Sequence, residues 1–500
     1  MAETREALLR PDRNCWRIEH ADRFALIVDA ADYFKAVKAA ILEARHSVML
    51  IGWDFDTRIK LEPDNPDPVG PARLGRFLNW VAKRRPDLTV CVLKWRLGAL
   101  RALGRGTTPL FILNWMTRRS IRFRLDGVHP TGAAHHQKLV VIDDAIAFCG
   151  GIDMTSERWD RRPHLDGDPF RIDSGGRPYS PWHDATTAVD GAAARALGDL
   201  ARDRWERATG ERLPRPPARD DCWPAMLVPD LRGVEVAIAR TLPAMAGRGQ
   251  VAEIERLYFD AIAGARRSLY IESQYFASRK LAEAMAARLR EPEGPEILLV
   301  NPLSADGWLE EATMDSARAR LLHYLARSDP HGRFRIVHPV TAAGDPIYVH
   351  AKVMIVDDRL LKVGSSNLNN RSLGFDTECD LAVEAPVGTA AEGAVRARIA
   401  AIRDDLLAEH LGTAPAAVAA AIAASGGSLL GAVYRLNRTE GRRLVAVRPR
   451  PLSDMEEVIA ETDLVDPERP RSLWRRLRRM PVFRRLAGAA QPRSPGGLVP

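Results

Sequence analysis

The hydrophobic pattern of the chain alternates between the 3.6-residue period of amphipathic helices and short runs rich in Val, Ile and Leu. This alternation predicts an α/β fold in which helices cover a mixed sheet. Residues 41–55, ILEARHSVMLIGWDF, and residues 262–276, IAGARRSLYIESQYF, both have the pattern of a helix end followed by a strand. Identical residues at aligned positions of the two segments indicate that the chain contains one unit twice.

The repeat continues downstream of these segments. Strand-like runs at 90–95 and 121–125 correspond to runs at 296–302 and 334–340. We therefore predict two similar α-β-α sandwich lobes with the active site at their interface, followed by a C-terminal helical and irregular extension. The predicted divisions are 20–212 with its motif region at 130–157, 225–412 with its motif region at 344–371, and 413–500, which ends in a basic tail.

Both copies contain the pattern H-x-K-x4-D in aligned positions. Residues i and i+2 of a strand share a face, so each histidine lies beside its lysine. The ammonium suits the non-bridging oxygens of a phosphodiester, and imidazole can act as nucleophile or general acid and base near neutral pH. We expect the aspartates to hold a turn or to pair with a lysine, because a carboxylate would repel an anionic substrate. The candidate catalytic residues are His136, Lys138 and Asp143 in the first copy, and His350, Lys352 and Asp357 in the second.

The residues that follow each motif differ between the copies. The second copy has GSSN at 364–367 where the first has GGID at 150–153. Glycine lets a backbone approach a phosphate closely, and Ser and Asn side chains can donate hydrogen bonds to it. We therefore predict phosphate binding by Gly151, Ser365 and Asn367, with more donors in the second copy.

Composition agrees with a folded chain that contacts anionic molecules. Lys and Arg number 73 against 65 Asp and Glu, a net charge of +8, which suits phosphate esters, nucleic acid or a membrane surface. The five cysteines are scattered and are expected to be reduced thiols. No clustered metal ligands are apparent, so we predict no catalytic metal and no cofactor.

The ends of the chain carry no clear membrane span. The first 20 residues have no apolar signal segment, so the cytoplasm is the expected location, although export without a cleaved signal stays open. The uncharged stretch 411–434 is rich in Ala and contains Pro415 and a Gly pair, which favours two packed helices over one spanning helix.

The internal repeat can complete a site within one chain, so we expect a monomer.

With its two H-x-K-x4-D motifs, the sequence resembles the phospholipase D superfamily over about residues 24–412. Several further blocks resemble the phospholipid-cleaving branch of that superfamily, without its N-terminal lipid-binding domains. Those blocks are HHQK at 135–138, GGID at 150–153, RWD at 158–160, PWHD at 181–184, YIESQYF at 270–276, IYVHAK at 347–352 and GSSNLNNRS at 364–372.

The resemblance implies a covalent mechanism at a single site between the lobes. His136 corresponds to the nucleophile that forms a phosphohistidine and His350 to the general acid, although the exchanged roles remain open. Lys138, Lys352 and Asn367 would hold phosphoryl oxygens. The resemblance also places a carboxylate behind each histidine to fix its tautomer; the matching residues are Asp184 and Glu378.

The activity implied is hydrolysis of glycerophospholipids, with phosphatidylcholine or phosphatidylethanolamine favoured, to phosphatidate and the head-group alcohol, and transphosphatidylation possible. A cardiolipin synthase-like phosphatidyltransferase and a nuclease are the alternatives; nucleic acid is the less expected partner, because the basic excess concentrates near the tail. A scaffold without activity is disfavoured by the intact motifs.

Because the resemblance does not include the N-terminal lipid-binding domains, contact with a membrane is expected from other segments of the chain. An interfacial lid at 97–119, with an ordinary core helix as its favoured alternative, and a basic helix at 471–485 are the candidates. Trp53, Trp159 and Trp182 could surround a choline-like group, but core packing is the favoured explanation.

Overall fold

A computed structural model gives the architecture of the chain. It describes residues 6–96, 114–115, 120–219, 221–245, 247–304 and 314–448. The predicted lid at 97–119, apart from residues 114–115, and the predicted basic helix at 471–485 lie outside the described residues.

One large mixed sheet runs through both copies of the repeat. Its strands are mostly short runs of Val, Ile, Leu and Ala that are buried on both faces, as expected for a sheet covered by helices or by a second sheet. The strands of the chain are β1 (Arg17–Val28), β2 (Ser47–Gly52), β3 (Thr89–Trp95), β4 (Ile121–Asp126), β5 (Leu139–Ile142), β6 (Ile146–Gly150), β7 (Trp182–His183), β8 (Ala185–Asp190), β9 (Leu231–Leu242), β10 (Val251–Ala252), β11 (Ser268–Glu272), β12 (Glu296–Val300), β13 (Phe334–Val340), β14 (Tyr348–Val349), β15 (Val353–Val356), β16 (Leu360–Gly364), β17 (Glu378–Glu384) and β18 (Arg443–Ala446).

Helices flank the sheet on the outside of each lobe and at its C-terminal end. Their buried faces carry Ala, Leu, Ile and Phe at helical spacing. They are α1 (Ala30–Glu43), α2 (Leu74–Arg84), α3 (Gly191–Thr209), α4 (Glu253–Gly264), α5 (Arg279–Leu289), α6 (Ser316–Arg327), α7 (Glu392–Leu411), α8 (Pro415–Ala424) and α9 (Leu429–Leu436), together with a π-helical turn at Arg371–Phe375.

The strand order shows the duplication directly. The first copy runs β1-β8-β6-β5-β2-β3-β4 and the second runs β9-β17-β16-β15-β11-β12-β13, with β18 added at its edge and β10 paired with β9. The long strands β1 and β9 pair with each other from Arg17↔Ile238 to Phe24↔Leu231, which joins the two halves. The predicted α/β class with helices on a mixed sheet is confirmed, and the two lobes share one continuous sheet.

The two halves also pack against each other through their central strands. β6 and β8 lie against β16 and β17, and one apolar cluster contains buried residues from both copies, including Val141, Cys149, Val353 and Cys379. Separate clusters fill the space under α1 and α2 and under α4, α5 and α6. The core between the lobes holds the ends of their strands in fixed positions. The motifs lie at these strand ends.

The segment after α7 contains helices α8 and α9 rather than a spanning helix. Val418, Leu429 and Ala432 are buried, and the Glu296 carboxylate accepts hydrogen bonds from the Ser428 hydroxyl at 2.6 Å and the Leu429 amide at 2.7 Å. Of the described helices, none is long and apolar enough by itself to cross a bilayer; the pair α7 and α8, bent by 105°, meets that test only when taken together.

Candidate active site

The two motif histidines lie where the lobes meet, and each has its backbone bound to the opposite lobe. The His136 amide donates to the Thr377 carbonyl at 3.0 Å, and the His350 amide donates to the His183 carbonyl at 2.7 Å. These bonds belong to two short parallel pairings between the lobes, His135 with Thr377 and β7 with β14. The pairings bring both histidines to one site.

Each imidazole also contacts a carboxylate that comes from the other lobe. The His136 Nδ1 lies 3.1 and 3.0 Å from the two Glu378 carboxylate oxygens, and the His350 Nδ1 lies 2.6 Å from Asp184 Oδ2. A proton on Nδ1 that is donated to the carboxylate leaves Nε2 with a free lone pair. An ionised carboxyl group at this place would fix the tautomer that a nucleophile needs, and Asp184 and Glu378 lie where the resemblance implied.

Burial and nearby lysines lower the pKa of both histidines well below its usual value. Burial is the largest cause for each ring; Lys138 and Lys352 add to the lowering at His136, and the same two lysines add to it at His350. Because each ring responds to the lysine of the opposite lobe, the four groups form one electrostatic unit. Both imidazoles are therefore neutral at pH 7 before an anionic substrate binds.

The pKa values of the two carboxyl groups are raised, whereas those of the histidines are lowered. Burial raises the pKa of Glu378 to about 8, although hydrogen bonds from Ser365 and Ser372 oppose this, and burial raises the pKa of Asp184. The Ser365 hydroxyl lies 2.5 Å and the Ser372 hydroxyl 2.6 Å from Glu378. These two donors fix the carboxylate against His136, so Ser372 is a supporting residue that the sequence did not point to.

The two lysines have different partners. The Lys138 ammonium lies 3.0 Å from Asp153 Oδ2, whereas the Lys352 ammonium donates to the Gln274 amide oxygen at 3.2 Å. Burial lowers the pKa of Lys352 to about 7. The first lysine is thus neutralised by a carboxylate, and the second keeps a neutral amide as its side-chain partner.

Gln274 joins several groups of the second lobe. Its amide oxygen also lies 3.5 Å from the Asn367 side-chain nitrogen, and its own nitrogen donates to the Tyr348 hydroxyl at 3.0 Å. The Asn367 Oδ1 is buried without a hydrogen-bond partner. Asn367 and Lys352 therefore share Gln274 as a neighbour. Gln274 was detectable only as part of the YIESQYF block.

Ser365 and Gly151, whose phosphate-binding roles stay predictions, both have protein partners in this structure. The Ser365 hydroxyl is committed to Glu378 and to the Cys379 amide. The Gly151 amide donates to the Ala185 carbonyl at 2.9 Å, and a Cβ at this position would lie 2.2 Å from Asp184 Oδ1. Glycine is needed here to admit the Asp184 carboxylate.

The two motif aspartates lie at hairpin turns, beyond the strands that follow the histidines. Asp143 accepts hydrogen bonds from the amides of residues 45–47 at 2.7 to 2.8 Å, and Asp357 accepts from those of residues 266–268 at 2.7 to 2.9 Å. Both have positive φ, 52° and 53°, which Asp tolerates better than most residues. Both aspartates hold turns, as the repulsion argument expected, and a catalytic role for them stays a prediction.

Trp182 lies over the His350 side of the site. Its ring stacks on Tyr348 at 4.5 Å and lies 5.2 Å from the His350 ring. The Arg158 guanidinium lies 4.0 Å from the Trp182 ring centroid. Trp159 is buried against Phe170, and Trp53 stacks on Trp95 at 5.8 Å, so aromatic packing accounts for both.

A buried cluster behind Asp184 contains side chains that could hold a cation. Asp29, His164, His183 and Glu409 present ligand-type atoms within 4.8 Å of one another. Without an ion, His183 Nδ1 lies 2.7 Å and His164 Nε2 lies 3.1 Å from Glu409 Oε1. The cluster joins α7 to the first lobe next to the residue that orients His350.

Several known proteins are similar to this chain. The family model described as "Cardiolipin synthase, PLD-like domain" matches residues 258–396. The chain is 26% identical to phospholipase D A of Dictyostelium discoideum over 71% of this chain and 32% of that protein. It is 24% identical to phospholipase D2 of Bos taurus over 71% of this chain and 48% of that protein.

The chain thus spans a third to a half of the length of these two relatives. In fold, it is similar to the crystal structure of phosphatidylserine synthase from Haemophilus influenzae Rd KW20, with a TM-score of 0.52 and 15% identity over 77% of this chain and 88% of that one. The family model and the two relatives support the phospholipase D superfamily for this chain, and the structure match shows a similar fold.

Proposed function

We propose that the chain is a phospholipase D-type phosphodiesterase that cleaves glycerophospholipids to phosphatidate and the head-group alcohol. The observation that carries the proposal is the pair of histidines, each backed by a carboxylate at Nδ1 and placed in one site with two lysines. Neutral imidazoles with a free Nε2, beside buried ammonium groups, are suited to attack on an anionic phosphorus. The similarity to proteins named phospholipase D supports a phospholipid substrate.

The proposed reaction has two steps. His136 Nε2 attacks phosphorus and forms an N–P bond, while the P–O bond to the head group breaks and His350 gives its proton to the leaving oxygen. His350 then takes a proton from water as the water oxygen attacks phosphorus, the N–P bond breaks and His136 is restored. Lys352 and Asn367 hold the phosphoryl oxygens in both steps. His350 needs a proton for the first step, and the bound anion favours its protonated form.

The test uses purified protein with vesicles of mixed glycerophospholipids in buffer that contains ethanol, followed by mass spectrometry. Phosphatidate together with phosphatidylethanol supports the proposal, because an alcohol that replaces water requires an activated intermediate. His136→Ala and His350→Ala should each lose both products, by about 10⁴-fold or more. His20→Ala, at a half-exposed position away from the motifs, is the matched control and should keep them.

A reaction with lipid that carries labelled phosphate, quenched with denaturant at mildly alkaline pH so that an N–P bond survives, distinguishes the histidine roles. Label should remain on the His350→Ala protein and be absent from His136→Ala; the reverse pattern would exchange the roles. Absence of lipid products, with cleavage of single-stranded DNA by the same preparation, would replace the phospholipase proposal with a nuclease.

A phosphatidyltransferase is the second candidate. The match of residues 258–396 to a model named for cardiolipin synthase favours it. Phosphatidylglycerol as acceptor in the same assay distinguishes the two, because a transferase would form cardiolipin in preference to phosphatidate.

A further inference from the structure

Arg158 is a cation in the candidate site whose role is not accounted for by the two motifs. Its guanidinium lies 4.0 Å from the centroid of the Trp182 ring, and this ring lies 5.2 Å from that of His350. The Arg158 charge also lowers the pKa of His350 and of Lys352. Arg158 therefore stands beside the histidine that faces the leaving group in the proposed reaction.

The hydrogen-bonding capacity of Arg158 is largely unused. Among the described residues, its one hydrogen-bond partner is the Glu157 carbonyl, at 3.1 Å from Nη1, and its Nε is buried without a partner. The carboxylates nearest the reacting groups are committed elsewhere: Asp184 to His350, Glu378 to His136 and Asp153 to Lys138. A guanidinium has five donors in a planar fork that matches carboxylate or phosphate oxygens.

The position of Arg158 also bears on choline. A quaternary ammonium is held in proteins by open aromatic faces. The Trp182 ring is in contact with Arg158 at 4.0 Å and with Tyr348 at 4.5 Å, so a choline group would compete with the protein's own cation for this ring. Arg158 and Lys352 together repel a positively charged head group on this side of His350.

We propose that Arg158 determines head-group specificity by binding a carboxylate or phosphate group on the leaving alcohol, so that the site prefers anionic head groups to choline and ethanolamine. This inference rests on the proposed function and replaces the choline and ethanolamine preference expected from the sequence. The anionic group would take the free donors of the guanidinium, while Trp182 holds its planar face. The positive charge would draw the head group toward the proton that His350 supplies.

Phosphatidylserine and phosphatidylethanolamine form a matched pair of substrates, because their head groups differ by one carboxylate. The experiment measures kcat/KM for both, and for phosphatidylcholine, in detergent micelles of equal surface charge. The wild-type protein should cleave phosphatidylserine at least about 10-fold more efficiently than either other lipid. Arg158→Gln should lower the serine-to-ethanolamine ratio about 10- to 100-fold, the effect of one hydrogen bond to a charged group.

Two further variants separate specificity from general damage. Arg158→Lys keeps the charge without the planar fork and should give an intermediate ratio. Arg161→Gln removes a nearby arginine that pairs with Asp168 at 2.7 Å, and it should leave the ratio at the wild-type value. The wild-type and Arg158→Lys ratios keep the test valid if Arg158→Gln does not fold.

The outcomes distinguish this inference from the function on which it rests. Cleavage of all three lipids without preference for phosphatidylserine, or a ratio that Arg158→Gln does not change, would overturn the role of Arg158 and leave the phospholipase proposal standing. No phosphatidate from any lipid would instead overturn the proposed function. A fall in the ratio for Arg161→Gln equal to that for Arg158→Gln would also contradict a specific role.

Discussion

The two lobes build the same half-site with different chemistry around the lysine. In the first lobe Lys138 faces the Asp153 carboxylate at 3.0 Å. In the second lobe Lys352 faces the Gln274 amide at 3.2 Å, and Asn367 occupies the position that corresponds to Asp153. The two copies of the motif therefore differ in charge: the second lysine has no carboxylate as a direct side-chain partner, which favours its contact with an anionic phosphate.

The carboxylates behind the histidines show a second asymmetry. Asp184, the shorter residue, fits against Gly151, where a Cβ would be 2.2 Å from its oxygen. Glu378, the longer residue, is held by the hydroxyls of Ser365 and Ser372. Both arrangements deliver an oxygen to Nδ1, so the hydrogen bond is common to the lobes although the side chains that build it differ.

The largest expected effect tests what the two halves share. Asp184→Asn and Glu378→Gln keep the size of each side chain and replace one carboxyl oxygen by an amide nitrogen, which weakens the hydrogen bond that orients each imidazole, so each should lower kcat by about 10³- to 10⁴-fold. Measured kcat values for the two variants give the comparison directly. A loss below about 10-fold in either variant would show that its carboxylate only fills space.

The next effect tests the charge difference at the lysines. Gln274→Glu gives the second lobe a carboxylate partner like that of the first and should lower kcat/KM about 10- to 100-fold by neutralising Lys352. Asp153→Asn makes the opposite change and should strengthen inhibition by inorganic phosphate, because Lys138 gains a free charge. If kcat/KM and phosphate inhibition respond equally to both variants, the two lysines do not differ in their contribution to substrate binding.

A pH profile gives a smaller and continuous measure of the same difference. Burial lowers the pKa of Lys352 to about 7, so its ammonium is charged below pH 7 and loses its proton as the pH rises. We expect kcat/KM, which reports the free enzyme, to fall up to about 10-fold per pH unit above pH 7. Lys352→Arg should move the fall in kcat/KM to higher pH, since a guanidinium stays charged. If the fall stays at the same pH, another group causes it.

The smallest effect concerns the turns, where the lobes agree. Asp143→Asn and Asp357→Asn each weaken a carboxylate that accepts three backbone amides. The free energy of unfolding should fall by about 1–3 kcal/mol in each variant, as measured by denaturant titration. At low temperature kcat should remain at the wild-type value. A selective loss of kcat without loss of stability would support the catalytic role predicted for these aspartates.

The sequence predicted the parts of the site that repeat. The spacing of His136 with Lys138 and of His350 with Lys352 marked each pair, but the strand expected to carry it begins only after the lysine, at Leu139 and at Val353. Asp184 and Glu378 came from the resemblance, and their contacts with the opposite lobe appear only in the fold. The α/β class followed from the alternating pattern, whereas the pairing of β1 with β9 joins segments that no local pattern connects.

The residues that the sequence missed, or whose contacts it did not give, depend on neighbours distant in the chain. Gly151 was expected to contact phosphate, but its neighbour is Asp184, which lies between β7 and β8, 33 residues later in the chain. Gln274 and Arg158 stood in blocks that the resemblance marked, yet neither residue type indicates a role until Lys352 and Trp182 are placed beside it. Local pattern identifies the chemistry, and tertiary contact decides which groups are free to perform it.

The backbone bonds that join the lobes have a consequence for exchange with solvent. The amides of His136 and His350 donate to carbonyls of the opposite lobe, so deuterium can replace these protons only when the interface opens. Exchange at both amides should therefore proceed at one common, slow rate that reports the opening of the site. A lobe expressed alone would lose that protection, and it would also lose the carboxyl group that orients its histidine. A single lobe of this duplicated chain should therefore be inactive.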